Sequence, residues 1–159
     1  MKAEHTILFD PSHETMDWSR IDHFVPDEFD DPGHPDSHRF MDPLTIIRLN
    51  LLRKTTGWPI VTHNKHGLRG CVCVEKTGHC TSSLHYAPNC SAVDFHFRTH
   101  VDARAQAMKV FRSGFTGIGL YYDWEWRDGE PLAIGFHVDN RKRPQVWRRR
   151  TGQYIYFLR

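Results

Sequence analysis

The residues of this chain best suited to chemistry lie in two short stretches. The first is Ser83-Leu84-His85-Tyr86-Ala87-Pro88-Asn89-Cys90-Ser91-Ala92-Val93-Asp94-Phe95-His96-Phe97, and the second is Gly135-Phe136-His137-Val138-Asp139. From Ala92 on, a period of two puts Ala92, Asp94 and His96 on one face of a strand and Val93, Phe95 and Phe97 on the other. In the second stretch Ile134, Phe136 and Val138 form the apolar back, and Gly135, His137 and Asp139 the front. A hydrolytic metal site takes three protein ligands and leaves one position open. His85, Asp94 and His137 supply two imidazoles and one carboxylate from three separate segments. Zinc suits this mixed ligation best, and other divalent metals stay open. His96, on the same face as Asp94, is a rival ligand or a supporting partner. Such chemistry also needs a proton acceptor. Asp139 is the first candidate, with an equal claim to be a carboxylate that orients a ligand histidine. Glu125, Asp128 and Glu130 are weaker candidates.

These side chains need strands and helices to hold them. Residues 1–40 are rich in Asp, His and Pro, with Trp18, Phe24 and Phe29 as isolated anchors, and read as an irregular arm with turns. Asp42-Pro43 starts a helix, Asp42 capping and Pro43 at the first helical position. Leu44, Ile47 and Leu51 then predict its core-facing stripe, and Gly57 its end. Trp58 to Thr62 reads as a short strand, and the cysteine-bearing segment 71–90 as a long loop or small hairpin. Ala103, Ala107, Val110 and Phe111 mark a second amphipathic helix. Strands are expected at 118–122 and 132–139, a basic linker from Arg141 to Arg150, and a final strand at 154–158. Few helices and strands joined by short turns predict an α+β domain. Its sheet is expected to be mainly antiparallel, with two principal helices packed on one side and the zinc site on the open face.

Bulk composition narrows the classes. The chain has 159 residues, 39% hydrophobic and 25% charged, enough for one domain with a modest core. A net charge of +2 excludes a strong overall electrostatic partner. Twelve histidines are many for this length and favour a metal site. No run approaches the roughly 18 apolar residues of a membrane span, so no membrane partner is expected. The start, Met1-Lys2-Ala3-Glu4-His5, is not a signal peptide, which predicts a cytoplasmic location at synthesis. Cys71, Cys73, Cys80 and Cys90 fall within twenty residues in a pattern unlike a zinc ribbon. A structural metal site, disulfides and free thiols are all open for them.

The two stretches resemble the Ser-x-His-x-x-Gly-x-Ala-x-Asp signature and second histidine motif of the D-alanyl-D-alanine metallopeptidases, a family that includes phage endolysins. Ser83, His85, Ala92 and Asp94 match the first motif; Phe136-His137-Val138-Asp139, preceded by Gly117-Ile118-Gly119-Leu120-Tyr121, looks like the second. Phe24 to Phe29, the helix from Met41 to Thr56, Gly57-Trp58-Pro59-Ile60 and Gly67-Leu68-Arg69 are similar in order to the family's N-terminal half. The resemblance covers residues 24–141. It implies His85, Asp94 and His137 as zinc ligands, Arg69 gripping a substrate carboxylate, and Ser83 hydrogen-bonding near the site. The sequence departs from the pattern in three places. His85 and Asp94 are nine positions apart instead of seven, Cys90 stands where the family has glycine, and Ile134 stands where several relatives keep a catalytic carboxylate.

The expectation is thus a single domain over 1–159. It would have an N-terminal arm (1–23), a metallopeptidase-like core (24–141), and a basic linker with a closing strand (142–159). As a monomeric zinc hydrolase it would cut peptidoglycan stem peptides next to D-amino acids, at the cell wall after release from a cell or phage-infected host. Two alternatives stand beside it. One is a catalytically silent zinc-binding relative serving as a cell-wall or phage-structural binding module. The other, less expected, is a nucleic-acid-binding protein using the cysteine cluster and the basic run Arg141 to Arg150.

Overall fold

Asp42 and Pro43 start the first helix as the sequence indicates. In the computed structural model, which describes residues 16–62, 83–88, 90–124 and 134–158, helix α1 runs Pro43–Thr56. The Asp42 carboxylate accepts from Leu44 N and Thr45 N, and Gly57 ends the helix in the left-handed conformation (φ 69°) with its N–H on Arg53 O. Helix α2 spans Ala103–Phe111, capped by Asp102 through Ala105 N at 3.0 Å. The segment read as an irregular arm forms short 3-10 turns at Trp18–Arg20, Pro26–Phe29 and Ser37–Phe40, and sinks Ile21, Phe24 and Phe29 into the core. Among the described residues no helix is long and apolar enough to cross a membrane.

The inward face of α1 differs from the one its leucines suggest. Leu44, Ile47 and Leu51 are 45%, 49% and 55% exposed, whereas Thr45, Ile46, Leu49 and Leu52 are buried. The helix carries apolar residues on both stripes, and a polar network chooses between them. Asn140 Nδ2 donates to Asp42 Oδ2 (2.7 Å) and Thr45 Oγ1 (2.8 Å), Arg48 donates to Asn140 Oδ1, and Thr45 Oγ1 lies 3.1 Å from Ser91 O. That network pins the helix start to the residues flanking two site strands. Phe111 of α2, likewise expected inside, is 41% exposed; Gln106 and Val110 take the buried positions. Removing Asn140 would leave Asp42, Thr45 and Arg48 short of partners. Asn140→Ala is therefore expected to cost about 2–3 kcal/mol in urea unfolding.

Six strands form one sheet: β1 (Ile60–Val61), β2 (Ala92–Phe97), β3 (Gly117–Tyr121), β4 (Gly135–Asp139), β5 (Gln145–Arg150) and β6 (Gln153–Leu158), in the order β1-β2-β4-β3-β5-β6. The sheet is mixed, which corrects the expectation of a mainly antiparallel one: β3 and β5 are parallel, and every other pair is antiparallel. The cause is the link 140–144. It leaves the end of β4, passes over Thr116 at the start of β3, and enters β5 on the far side, with Thr116 Oγ1 donating to Arg141 O (2.7 Å) and Gln145 N to Thr116 O (2.8 Å). The basic linker expected from Arg141 to Arg150 is thus mostly strand.

Both helices pack on the back of the sheet, where Ile46, Leu49, Leu52 and Val110 join Val93, Phe95, Phe97, Ile118, Leu120, Phe136 and Val138 in one core. Phe95 stacks on Phe136 at 5.4 Å, and Phe97 meets the same ring edge-on at 5.6 Å. Among the described residues the front is free of helices and carries the polar residues. Register aligns them in rows, one of which reads Asp94, His137, Gly119, Trp147 and Tyr156 across five strands.

Candidate metal centre

His85 reaches the front of the sheet from a loop anchored at both ends. Ser83 Oγ accepts from His85 N (3.3 Å), and Leu84 O accepts from Ser91 N (2.8 Å) and Ala92 N (3.2 Å). Further on, Cys90 is fully buried and its backbone bonds to Phe40 O and Asp42 N. Among the described residues the non-glycine positions with positive φ are Asp36 and Thr151. Cys90 therefore needs none of the freedom that a family glycine would give.

Asp94 and His137 face each other directly on β2 and β4. His137 Nδ1 lies 2.8 Å from Asp94 Oδ1 and 3.1 Å from His85 Nε2, and His85 Nε2 is 3.5 Å from Asp94 Oδ1. The three residues offer ligand atoms within 4.8 Å of one another, an arrangement that could hold a metal ion. Metal–nitrogen bonds of about 2.0–2.1 Å put neighbouring tetrahedral ligands about 3.3 Å apart, close to the spacings present. Both histidines are buried, while the Asp94 side chain keeps a 26% exposed edge toward solvent.

The other ring nitrogen of His137, Nε2, lies 2.9 Å from Asp139 Oδ2. Asp139 is fully buried and gripped by Arg141, whose Nε reaches both carboxylate oxygens (2.9 and 3.0 Å) and whose backbone N donates to Oδ1 (3.0 Å). Of the two roles expected for Asp139, this geometry accords with the carboxylate that orients a ligand histidine. Its carboxylate sits behind His137, away from the pocket, where it fixes the ring and leaves Nδ1 to the ligand group. The room comes from glycine: a Cβ on Gly117 would lie 2.0 Å from Asp139 Oδ1, and one on Gly119 2.6 Å from the Trp147 ring.

Electrostatics follow from this packing. Burial pushes the His137 imidazole down, but hydrogen bonds from Asp139 and Asp94 outweigh it and raise its pKa from 6.5 to about 9. Burial pushes both carboxyls up, and is outweighed by His85 and His137 at Asp94 and by His137 and Arg141 at Asp139. Both carboxyls therefore stay well below the ordinary range. The raised His137 contributes stability that is fully present below about pH 6.5 and is lost as pH rises through about 9. A metal on Nδ1 must displace that proton. Binding to the metal-free chain at pH 7.5 is expected to release about one proton, and affinity to rise about tenfold per pH unit toward pH 9. Calorimetry in buffers of different ionisation heat measures this; proton-neutral binding would remove His137 from the ligand set.

The ligand group forms the floor of an open pocket of about 460 Å³, whose wall includes Ser83, Tyr121, Trp147, Arg149, Tyr154 and Tyr156. Trp147 packs 4.9 Å from the His137 ring, and Tyr121 lines the pocket beside Asp94. Sequence reading singled out Ser83 but missed the wall. Its signal was present in the period-two pairs Trp147/Arg149 and Tyr154/Tyr156, obscured by the charge around them. His96 does not join the ligand group; it lies one row away, where its Nδ1 accepts from Trp124 Nε1 at 3.3 Å. Arg69, Cys71, Cys73, Cys80, Glu125, Asp128 and Glu130 lie outside the described residues. Cys90 is disulfide-bonded, one of the states expected for the cysteines. No family model, no curated protein and no solved structure matches this chain.

Proposed function

We propose that the chain is a zinc-dependent peptidase that cuts peptide bonds next to D-amino acids in peptidoglycan stem peptides. The observation that carries this reading is the convergence of His85, Asp94 and His137 on the floor of an open pocket, in the order and on the motifs of the resemblance. Two imidazole nitrogens and a carboxylate oxygen form a donor set that zinc favours. Bound there, zinc would lower the pKa of a coordinated water and polarise a carbonyl. The chain's own contribution is positional. Asp139 and Arg141 hold His137 with Nε2–H turned back and Nδ1 forward, and Trp147 covers one side of the imidazole. The disulfide at Cys90 accords with work outside a reducing cytosol, at the wall.

One observation favours a second reading, a metal-binding relative without turnover. Ile134, at the position of the family's catalytic acid, is buried in the core, and Asp139 faces away from the pocket. Among the described wall residues the sole carboxylate is Asp94, itself a ligand. A proton acceptor would then come from Glu125, Asp128 or Glu130, which lie between Trp124 and Ile134 in the sequence. In the basic run expected to serve nucleic acid, strand alternation turns Arg149 into the pocket wall and leaves Arg148 and Arg150 outside it.

The test is incubation of the full chain with a stem peptide ending in D-Ala-D-Ala. Cleavage that a chelator abolishes and zinc restores, with one metal per chain, is the expected result. One bound metal without cleavage favours the second reading, and no bound metal overturns both.

A further inference from the structure

Among the described residues two guanidinium groups reach the pocket, and they are not equivalent. Arg141 spends its donors inside the protein, with Nε and Nη2 on Asp139 and Nη1 on Gln145. Arg149 is held differently. Its Nε donates to Asp123 Oδ1 at 2.8 Å, and among the described residues this is its one ion pair. The other Asp123 oxygen accepts from Gly152 N at 2.8 Å. Thr151 and Gly152 both have positive φ, the conformation of a tight hairpin turn, so the β5–β6 turn fixes Asp123 and Asp123 fixes Arg149. The guanidinium lies 4.3 Å over the Tyr121 ring and 6.0 Å from Tyr154, beside the pocket. Asp123 and Tyr154 thus hold the guanidinium in place while it lines the pocket.

We infer that, among the described residues, Arg149 is the one that recognises an anion in this pocket and that the group it takes is a carboxylate of the substrate. The inference rests on the peptidase reading for the identity of the substrate, but not for the existence of the subsite. A planar carboxylate matches the two-nitrogen edge of a guanidinium bidentately. A dianion such as phosphate would face Asp94 and Asp123 across one partly neutralised cation, which disfavours it. Tyr121 sets the reach, since it lines the pocket beside Asp94 and its face carries Arg149. One phenol ring therefore separates the bound anion from the ligand group. At about 3.5 Å per residue the carboxylate belongs to a residue one or two positions from the bond held over the floor. Stem peptides offer two sources within that range, the C-terminal carboxylate and the free carboxylate of γ-linked D-Glu.

The experiment measures binding, not turnover, so that it stands apart from the peptidase test. The metal-free full chain is titrated with the pentapeptide Ala-γ-D-Glu-Lys-D-Ala-D-Ala, with its C-terminal amide, and with the form amidated at D-Glu. One of the two amidations is expected to weaken binding about 10- to 100-fold, and which one identifies the source. In Arg149→Gln the acid and amide forms are expected to bind alike. Arg149→Lys, which keeps charge and stem, is expected to retain an intermediate preference and carries the test if the glutamine variant does not fold. Equal binding of all three peptides to the wild type overturns the inference. So does a preference unchanged in either variant, or no binding at millimolar peptide. A chain that shows the preference yet cleaves nothing with zinc bound would overturn the peptidase reading and leave the subsite standing.

Discussion

His137→Ala is expected to abolish stoichiometric metal binding and, with it, any zinc-dependent hydrolysis. The residue stands at the centre of the site: Nδ1 faces Asp94 and His85, and Nε2 faces Asp139. Alanine removes one of three ligands, and the loss in affinity should exceed the roughly 10–100-fold that follows loss of a supporting residue. The metal-free chain suffers as well. Asp139 is fully buried, and without the imidazole its partial compensation is Arg141 alone. Breaking one side of such a buried pair costs about 3 kcal/mol or more. Metal content by elemental analysis and unfolding of the metal-free form read the two effects separately. His100→Ala, an exposed histidine after β2, serves as the control and should change neither. An intact metal content in His137→Ala would sink the ligand assignment.

The second large effect is expected from adding a single methyl group on a strand with no ligand of its own. In Gly117→Ala the new Cβ would lie 2.0–2.3 Å from all three carboxylate atoms of Asp139. That carboxylate cannot step aside without giving up His137 Nε2, Arg141 Nε and Arg141 N. Either β3 and β4 separate or Asp139 leaves its socket. Overpacking and the broken buried pair together are expected to cost about 3–5 kcal/mol, and metal affinity should fall about 10–100-fold as His137 loses its support. Gly57→Ala provides the contrast. Its added Cβ meets nothing within 4 Å, and its cost is the left-handed backbone alone, about 1 kcal/mol. A Gly117→Ala chain with normal metal affinity would show that Asp139 does not orient the site.

The parts of this molecule legible in sequence are those set by short-range rules. Strand alternation placed Asp94 and His137 on one face with an apolar back, and the Asp42-Pro43 start and Gly57 stop of α1 follow local capping chemistry. The parts that were not legible depend on distant partners. Which stripe of α1 faces inward is decided by Thr45 and Asn140, 95 residues apart in the chain. Whether Asp139 serves as base or as support is decided by the space Gly117 leaves on a neighbouring strand and by the grip of Arg141. The parallel pairing of β3 with β5 depends on a five-residue link crossing one end of β3, which nothing in the composition of Asn140 to Pro144 announces. Arg148 to Arg150 read as a charge run because formal charge hides a period-two pattern in which one side packs and the other is solvated.

That crossing divides the labour of the sheet. The floor ligands belong to β2, β4 and the loop before them, whereas Trp147, Arg149, Tyr154 and Tyr156 of the wall belong to the β5–β6 hairpin; β3 alone stands between the two. Where β3 passes beneath His137 and Trp147 it contributes Gly119, a residue with no side chain to transmit a change from one to the other. Trp147 still touches the His137 ring directly, so it is substitutions at Arg149, Tyr154 and Tyr156 that can alter what the pocket accepts while the ligand set stays in place. Natural variation or directed evolution of the last fifteen residues is where new substrate preference can arise at least cost to the metal.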